Sequence, residues 1–322
     1  MGVRLLRAAD IALACPMDEA IEAVAAGFAA LSSGQASVPV RLSVPLAHDG
    51  VALTMPASLA GAPVYSVKLV SVAPGNSALG RPVVVATVLL ADARTGDVLA
   101  ILDGTALTAL RTGAAGGVAA RLLSRPESAR VALFGAGAQA RTQLEALACV
   151  RAIREVAVVA RDPAHAASFR AWAGAARSLA SIAVRAADAK EAVASADIVV
   201  TATSSPTPVF DGRWLPDGVH VTAVGSFRPD MRELDEHTMR GARIVVDQRG
   251  AALAEAGELR GTHDDDVVEL GEIVAGRAPG RTSERERTVF KSVGNAIQDL
   301  VVAARAFERA REVGAGEELA FP

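Results

Sequence analysis

Apolar residues recur at helical spacing over residues 17–31, with Ile21, Val24, Ala25, Phe28 and Leu31 on one face. Asp18 and Glu19 suit the positive end of that helix dipole. From Val38 to Leu102 the pattern shortens to β-branched runs: VPVRLSVPL, GVALTMP, APVYSVKLV, RPVVVATVLLAD and DVLAILD. Pro, Gly and Asn-Ser clusters punctuate them, and the T-G within ADARTGDVL marks a hairpin. A helical pattern opens near Thr108 and runs through ALRTGAAGGVAARLL. Its many Gly and Ala residues lower helix propensity, but they suit close approach to another backbone or to a ligand.

Beyond that helix the texture changes. RVALF, EVAVVA, IAVRAA, DIVVTAT, GVHVTAVGS and ARIVVDQ read as strands, and helical segments such as AHAASFRAWAGAA separate several of them. Such alternation predicts a parallel sheet with crossover helices, its strands buried on both faces. The segment from Thr288 to Val313 reads as one long amphipathic helix. The fold class is therefore α/β.

The length of 322 residues suggests about two domains. Hydrophobic residues make up 51% and charged residues 21%, which supports sizeable cores and excludes a disordered chain. A net charge of -3 leaves no basic excess for nucleic acid, and 3% aromatics leave few stacking platforms. The two cysteines, Cys15 and Cys149, form no CxxC pair and no disulfide framework. Arg7 and Asp10 interrupt any apolar leader, and Pro56 and Pro63 break the uncharged stretch from Gly50 to Val67. The expectation is a soluble cytoplasmic protein with no membrane partner. The five histidines show no metal-ligand spacing, and the run His263–Asp266 reads as an acidic helix start, so no metal is expected.

The strongest local signal is Gly135-Ala136-Gly137-Ala138-Gln139-Ala140, a G-x-G-x-x-A turn after the apolar run Val131–Phe134. Gly135 permits a tight turn, Gly137 lets backbone N–H groups approach a pyrophosphate, and Ala140 keeps the helix close to the strand. An ordinary strand-to-helix turn is the plainer alternative. The second strand about 20 residues further on favours a dinucleotide. That strand ends in Ala160-Arg161-Asp162. Arg161 stands where an NAD site places an acid, and a guanidinium there takes a 2′-phosphate. NADP(H) is therefore favoured, with NAD(H) as the alternative should a one-residue shift make Asp162 the ribose ligand.

Several segments together resemble the ornithine cyclodeaminase/mu-crystallin family from about Val38 to Ala304. They are RLSVP, GVALTMP, Lys68 within YSVKLV, ILDGTALTALRTGAA, VALFGAGAQA, TAVGSFRPDMREL and VFKSVGNAIQD. The resemblance implies a homodimer. It also implies a doubly wound Rossmann domain, over 114–287, inserted in an α+β substrate and dimerisation domain, over 1–113 plus 288–322. Its chemistry is hydride exchange between a nicotinamide and the α-carbon of an amino or imino acid.

By the same resemblance Arg41, Lys68 and Arg111 match the residues that bind the substrate carboxylate. Lys68 stands out without the family, because it lies inside an apolar strand of a chain with lysines only at 68, 190 and 291. Burial would lower its pKa and suit it to proton donation; an edge-strand lysine that discourages aggregation is the alternative. Arg111 and Thr112 lie early in the Gly/Ala-rich helix and are placed to reach the cofactor as well. Asp230 follows the predicted strand end Val221–Gly225, and the family aspartate at that point exchanges protons at the substrate nitrogen. Asp230-x-x-Glu233 also satisfies a capping box, so both readings stand. Gly225, Ser226, Val293 and Gly294 are expected to line the nicotinamide pocket, with Thr201 and Thr203 also on the cofactor. Lys291 is assigned no chemistry.

The family's cyclodeaminases carry a Glu where GVALTMP places Leu53. An apolar side chain there cannot hold a distal ammonium group. The expectation is a reductase of a compact cyclic imino acid, Δ1-pyrroline-2-carboxylate and also Δ1-piperideine-2-carboxylate, giving L-proline or L-pipecolate. Ornithine cyclodeamination, alanine dehydrogenation and NADPH-dependent ligand binding without turnover are the alternatives.

Overall fold

The computed structural model describes residues 2–320. The chain opens with β1 (Gly2–Leu6), α1 (Ala8–Ala14) and α2 (Met17–Ser32). Six strands follow: β2 (Ala36–Ser37), β3 (Leu42–Pro45), β4 (Val51–Leu59), β5 (Val64–Val72), β6 (Val84–Asp92) and β7 (Val98–Asp103). The Gly/Ala-rich segment forms α3 (Gly104–Leu123), which begins four residues before the Thr108 start expected from periodicity. Asp103 decides that start, since its carboxylate accepts from the Thr105 and Ala106 N–H groups.

Then come β8 (Arg130–Phe134), α4 (Ala138–Val150), β9 (Glu155–Val159), α5 (Pro163–Ala175), β10 (Ala183–Ala186), α6 (Ala189–Ala194), β11 (Ile198–Thr201) and β12 (His220–Ala223). After them run α7 (Glu236–Met239), β13 (Arg243–Val246), α8 (Arg249–Glu255), β14 (Val267–Glu269), α9 (Leu270–Val274) and β15 (Thr288–Lys291). The chain closes with α10 (Ala296–Val313) and β16 (Glu317–Ala320).

Two compact units result. One comprises the residues up to Arg111 and those from Asn295 onward; the other runs from Thr112 to Gly294. The chain thus leaves the first unit, builds the second and returns. The boundaries differ from the expected 113/114 and 287/288 chiefly because β15 is hydrogen-bonded within the second sheet.

In the first unit, β16-β1-β7-β6-β5-β4-β2 form a largely antiparallel sheet, with β3 also paired to β4. Helix α10 lies against α1, α2 and the strands β4, β5 and β6. Lys68, Val70, Ala86 and Val88 occupy the buried face of that sheet. Leu42, Val44, Leu69, Val85 and Leu89 share the opposite face and are exposed.

The second unit is a parallel sheet in the order β10-β9-β8-β11-β12-β15-β13-β14. This is the Rossmann doubly wound arrangement, and strand order reverses between β8 and β11. One core layer gathers Leu133, Leu144, Val158, Phe169 and Val200; the other gathers Phe134, Val199, Val221, Leu234 and Val289.

The segment from Thr288 is not one helix. Thr288–Lys291 is a fully buried strand between β12 and β13. Gly294, at φ +78°, turns the chain before α10 begins. The apolar run Thr-Val-Phe fits either periodicity, and pairing with two distant strands decides it. Among the described residues, no helix is long and apolar enough to cross a membrane. No group of three or more His, Cys, Asp or Glu side chains among them could hold a metal ion.

Candidate active site

In the second unit the glycine turn sits at the β8/β11 switch point. Gly135 has φ +101°, and a Cβ there would lie 2.5 Å from the Ala202 carbonyl oxygen. Only glycine fits. Gly137 precedes the first turn of α4, and nothing lies within 4 Å of the place its Cβ would occupy. That open space, beside the exposed Ala138 and the half-buried Gln139, suits a pyrophosphate on the helix N-terminus. Ala140 is buried and keeps α4 against the sheet.

A cleft of about 720 Å3 continues from this turn past Ala136, Ala160, Arg161, His165 and Thr203. Arg161 is exposed just beyond β9. Asp162 caps α5, its carboxylate accepting the Ala164 N–H at 2.8 Å. The acid that competed for the ribose role is thus engaged in ending a loop.

The far side of the cradle is fastened by Glu233, which the sequence offers only as the partner in a capping box. Glu233 is wholly buried, and its carboxylate accepts from Thr201 Oγ1, Thr203 N, Thr203 Oγ1 and Gly225 N at 2.7–2.9 Å. Four donors from the ends of β11 and β12 therefore converge on one carboxylate. Glu258 in turn accepts from the Glu233 N–H and the Ser226 hydroxyl. Lys291, also wholly buried, donates to Ser226 O and Oγ at 2.6 Å and lies 3.7 Å from Glu258. Gly294 N–H and Ser292 Oγ donate to Asp247, which fixes the backbone around Val293.

No helix begins at Asp230, so the capping-box alternative is absent from the structure. The Asp230 carboxylate is exposed and takes both bonds of the Arg228 fork, at 3.0 and 3.1 Å. Thr112 is buried and its carbonyl accepts from Gln143 Nε2 at 2.8 Å. A Cβ at Gly113 or Gly116 would collide with Thr142 or Gln143, so these glycines let α3 and α4 pack closely.

In the first unit, Lys68 points from β5 toward α10 and is 1% exposed. Its ammonium donates to Asp299 Oδ1 at 3.0 Å. Arg111 Nε lies 3.2 Å from the same oxygen, and Arg111 Nη1 donates to Gln298 Oε1 at 2.8 Å. Arg41 is half-buried just before β3, near enough for its charge to act on Lys68. Burial pulls the Lys68 pKa down to about 8; Asp299 opposes the fall, while Arg111 and Arg41 add to it. The fold thus brings together the three cations singled out in the sequence.

Several polar atoms around them are buried without a hydrogen-bond partner: Asp299 Oδ2, Gln298 Nε2 and both ends of the Asn295 amide. Asn295, Gln298 and Asp299 share one face of the start of α10. Such a set suits a small polar guest. Leu53 lies on the same face of β4 as Met55, which stands opposite Lys68. The wall beside the cations is therefore apolar.

Asp299, Gln298 and Glu258 carry no role in the sequence pattern, and Glu233 carries only that of a capping partner. A charge within the apolar stretch NAIQDLVVAA was the available signal for Asp299.

A doubly wound sheet with a glycine turn open for a dinucleotide marks a nicotinamide-dependent oxidoreductase. The chain belongs to the ornithine cyclodeaminase/mu-crystallin family, whose model matches residues 3–314. It is 39% identical to the Δ1-pyrroline-2-carboxylate reductase of Bacillus cereus over 314 residues, 95% of this chain and 96% of that one. Among solved structures it resembles the Thermococcus litoralis Δ1-pyrroline-2-carboxylate reductase in complex with NADH and L-proline. The TM-score is 0.93 at 39% identity, covering 98% of this chain and 100% of the other. An archaeal alanine dehydrogenase dimer with bound NAD matches with a TM-score of 0.92 at 35% identity, covering 100% of both chains.

Proposed function

We propose that the protein reduces a cyclic imino acid, Δ1-pyrroline-2-carboxylate or its six-membered homologue, to L-proline or L-pipecolate. Buried Lys68 and Arg111 with half-buried Arg41, beside an apolar wall, carry this reading, together with the reductases the chain resembles. The substrate carboxylate meets those cations, and each charge-assisted bond contributes about 1.5–3 kcal/mol. Fixing the carboxylate also presents one face of C2 for attack.

A nicotinamide cofactor held by the Gly135–Ala140 turn would supply hydride. As C2 accepts it, the C=N π pair becomes the nitrogen lone pair and is held as N–H. Lys68 is the proposed donor of that proton, and Asp230 is the proposed exchanger at the nitrogen once it releases Arg228. Leu53 leaves nothing to hold the distal ammonium of free ornithine, which favours the compact ring.

We further propose that NADPH is preferred over NADH. Arg161 is exposed beside the cleft to meet a 2′-phosphate, and Asp162 is occupied as a cap. The exposed apolar face of Leu42, Val44, Leu69, Val85 and Leu89 supports a homodimer, the assembly of the archaeal alanine dehydrogenase neighbour.

The test is NAD(P)H oxidation on both cyclic imines, on pyruvate plus ammonia and on buffer alone. Turnover on a cyclic imine is expected. Ammonia-dependent reduction of pyruvate would identify an alanine dehydrogenase, ammonia release from ornithine a cyclodeaminase, and NADPH binding without turnover a binding protein. Arg161→Asp should raise the NADPH KM far more than the NADH KM; equal effects would remove the 2′-phosphate assignment.

A further inference from the structure

Taking Arg41, Lys68 and Arg111 as the substrate cations leaves one buried charge, shared by the last two, without a role. Asp299 is wholly buried on the first turn of α10, and its Oδ1 is shared by Lys68 at 3.0 Å and Arg111 at 3.2 Å. Its Oδ2 has no hydrogen-bond partner among the described residues. Glu233, by contrast, takes four donors on its two oxygens.

We propose that Asp299 is a positioning residue for imine reduction, holding the Lys68 ammonium charged and the Arg111 guanidinium in place until the substrate carboxylate arrives. The proposal rests on the reductase reading above and adds to it the group that keeps its lysine ready.

The charges facing Lys68 account for this. Arg111 comes from α3, Arg41 from the segment before β3 and Asp299 from α10; across the sheet Lys68 meets uncharged Met55 on β4 and Val88 on β6. Burial and the two arginines all favour the neutral amine, and Asp299 alone among these groups opposes them. Lys68 therefore stands at about 8, charged at neutral pH. Without Asp299 every remaining influence drives the proton off. A neutral Lys68 can neither attract a carboxylate nor donate a proton.

The substrate anion later supplies the negative charge that the arginines and lysine lack. Asp299 thus shares a cation cluster that is incompletely neutralised before binding. Its effect on kcat/KM is consequently a matter of pH, unlike that of a residue that merely packs.

The experiment is the pH dependence of kcat/KM for Δ1-pyrroline-2-carboxylate in wild type, Asp299→Asn, Asp299→Glu, Lys68→Arg and the Asp299→Asn/Lys68→Arg double variant. NADPH affinity and circular dichroism monitor the fold. In Asp299→Asn the alkaline limb should move down by about one pH unit or more, with a loss of about tenfold or more at pH 8.5 and a smaller one at pH 6. Asp299→Glu, which keeps the charge, should retain a limb near that of wild type even where kcat falls, and it carries the test should Asp299→Asn not fold. Lys68→Arg should lack the limb, and adding Asp299→Asn should create none.

A uniform loss across the pH range in Asp299→Asn, a limb lost in Asp299→Glu, or a limb that Asp299→Asn still moves in the Lys68→Arg background would overturn the proposal. Failure of wild type to reduce the imine would instead overturn the reductase reading, and it shows before any variant is compared.

Discussion

Lys68 shows how a single side chain can work against the fold that holds it. Its pKa falls from 10.5 to about 8 because burial disfavours the ammonium. Between those values the unfolded chain binds more protons, so this residue's contribution to stability rises with pH; below about 8 the full penalty applies, roughly 3 kcal/mol. Asp299 keeps Arg111 as a partner when the lysine is removed. Lys68→Met should therefore leave Tm at pH 7 within a few degrees of wild type, while kcat/KM falls by about tenfold to a hundredfold or more. Thermal unfolding paired with steady-state kinetics checks this. Near-full activity in that variant would return Lys68 to the scaffold. The lysine was legible in the sequence because a charge inside VYSVKLV is conspicuous. Its partner was not, because Asp299 lies 231 residues away and only packing brings it near.

At the scale of elements, the ends of β11 and β12 are held by a carboxylate that belongs to neither strand. Glu233→Ala removes the acceptor of four hydrogen bonds and leaves donors on buried Thr201 and half-buried Thr203 and Gly225 unpaired. The expected loss is about 3 kcal/mol or more, with weaker NAD(P)H binding, read by denaturant unfolding and a fluorescence titration. Unchanged cofactor affinity would separate the clamp from the cradle. Local pattern placed the Rossmann strands well, because apolar runs between helices leave few alternatives. It misjudged Thr288–Lys291, which is a strand only because β12 and β13 lie on either side. The Asp230-x-x-Glu233 spacing likewise offered a helix start where the structure has a loop and a buried clamp.

At the scale of the whole molecule, charge inside the parallel sheet ties stability to acidity. His220 is wholly buried between Thr222 and Thr288, and burial, helped by Arg281 and Arg151, holds its pKa down at about 3 against an ordinary 6.5. Between those values the unfolded chain takes up a proton that the folded one refuses. Stability should fall as pH drops from about 6.5 toward 3, by up to about 1.4 kcal/mol per pH unit from this group. His220→Gln should flatten that part of the Tm profile; an unchanged slope would place the acid sensitivity elsewhere. The amino-acid sequence by itself determined the glycine turn, the alternation of strands and helices and the unusual lysine, since each depends on neighbours along the chain. Tertiary structure alone decided that α10 would carry Asp299 to Lys68 and Arg111, that Glu233 would close the ends of two strands, and that β15 would be a strand. Each of those depends on groups distant in sequence finding one another in a place from which water is excluded, where an unmet charge or N–H is too unfavourable to leave alone.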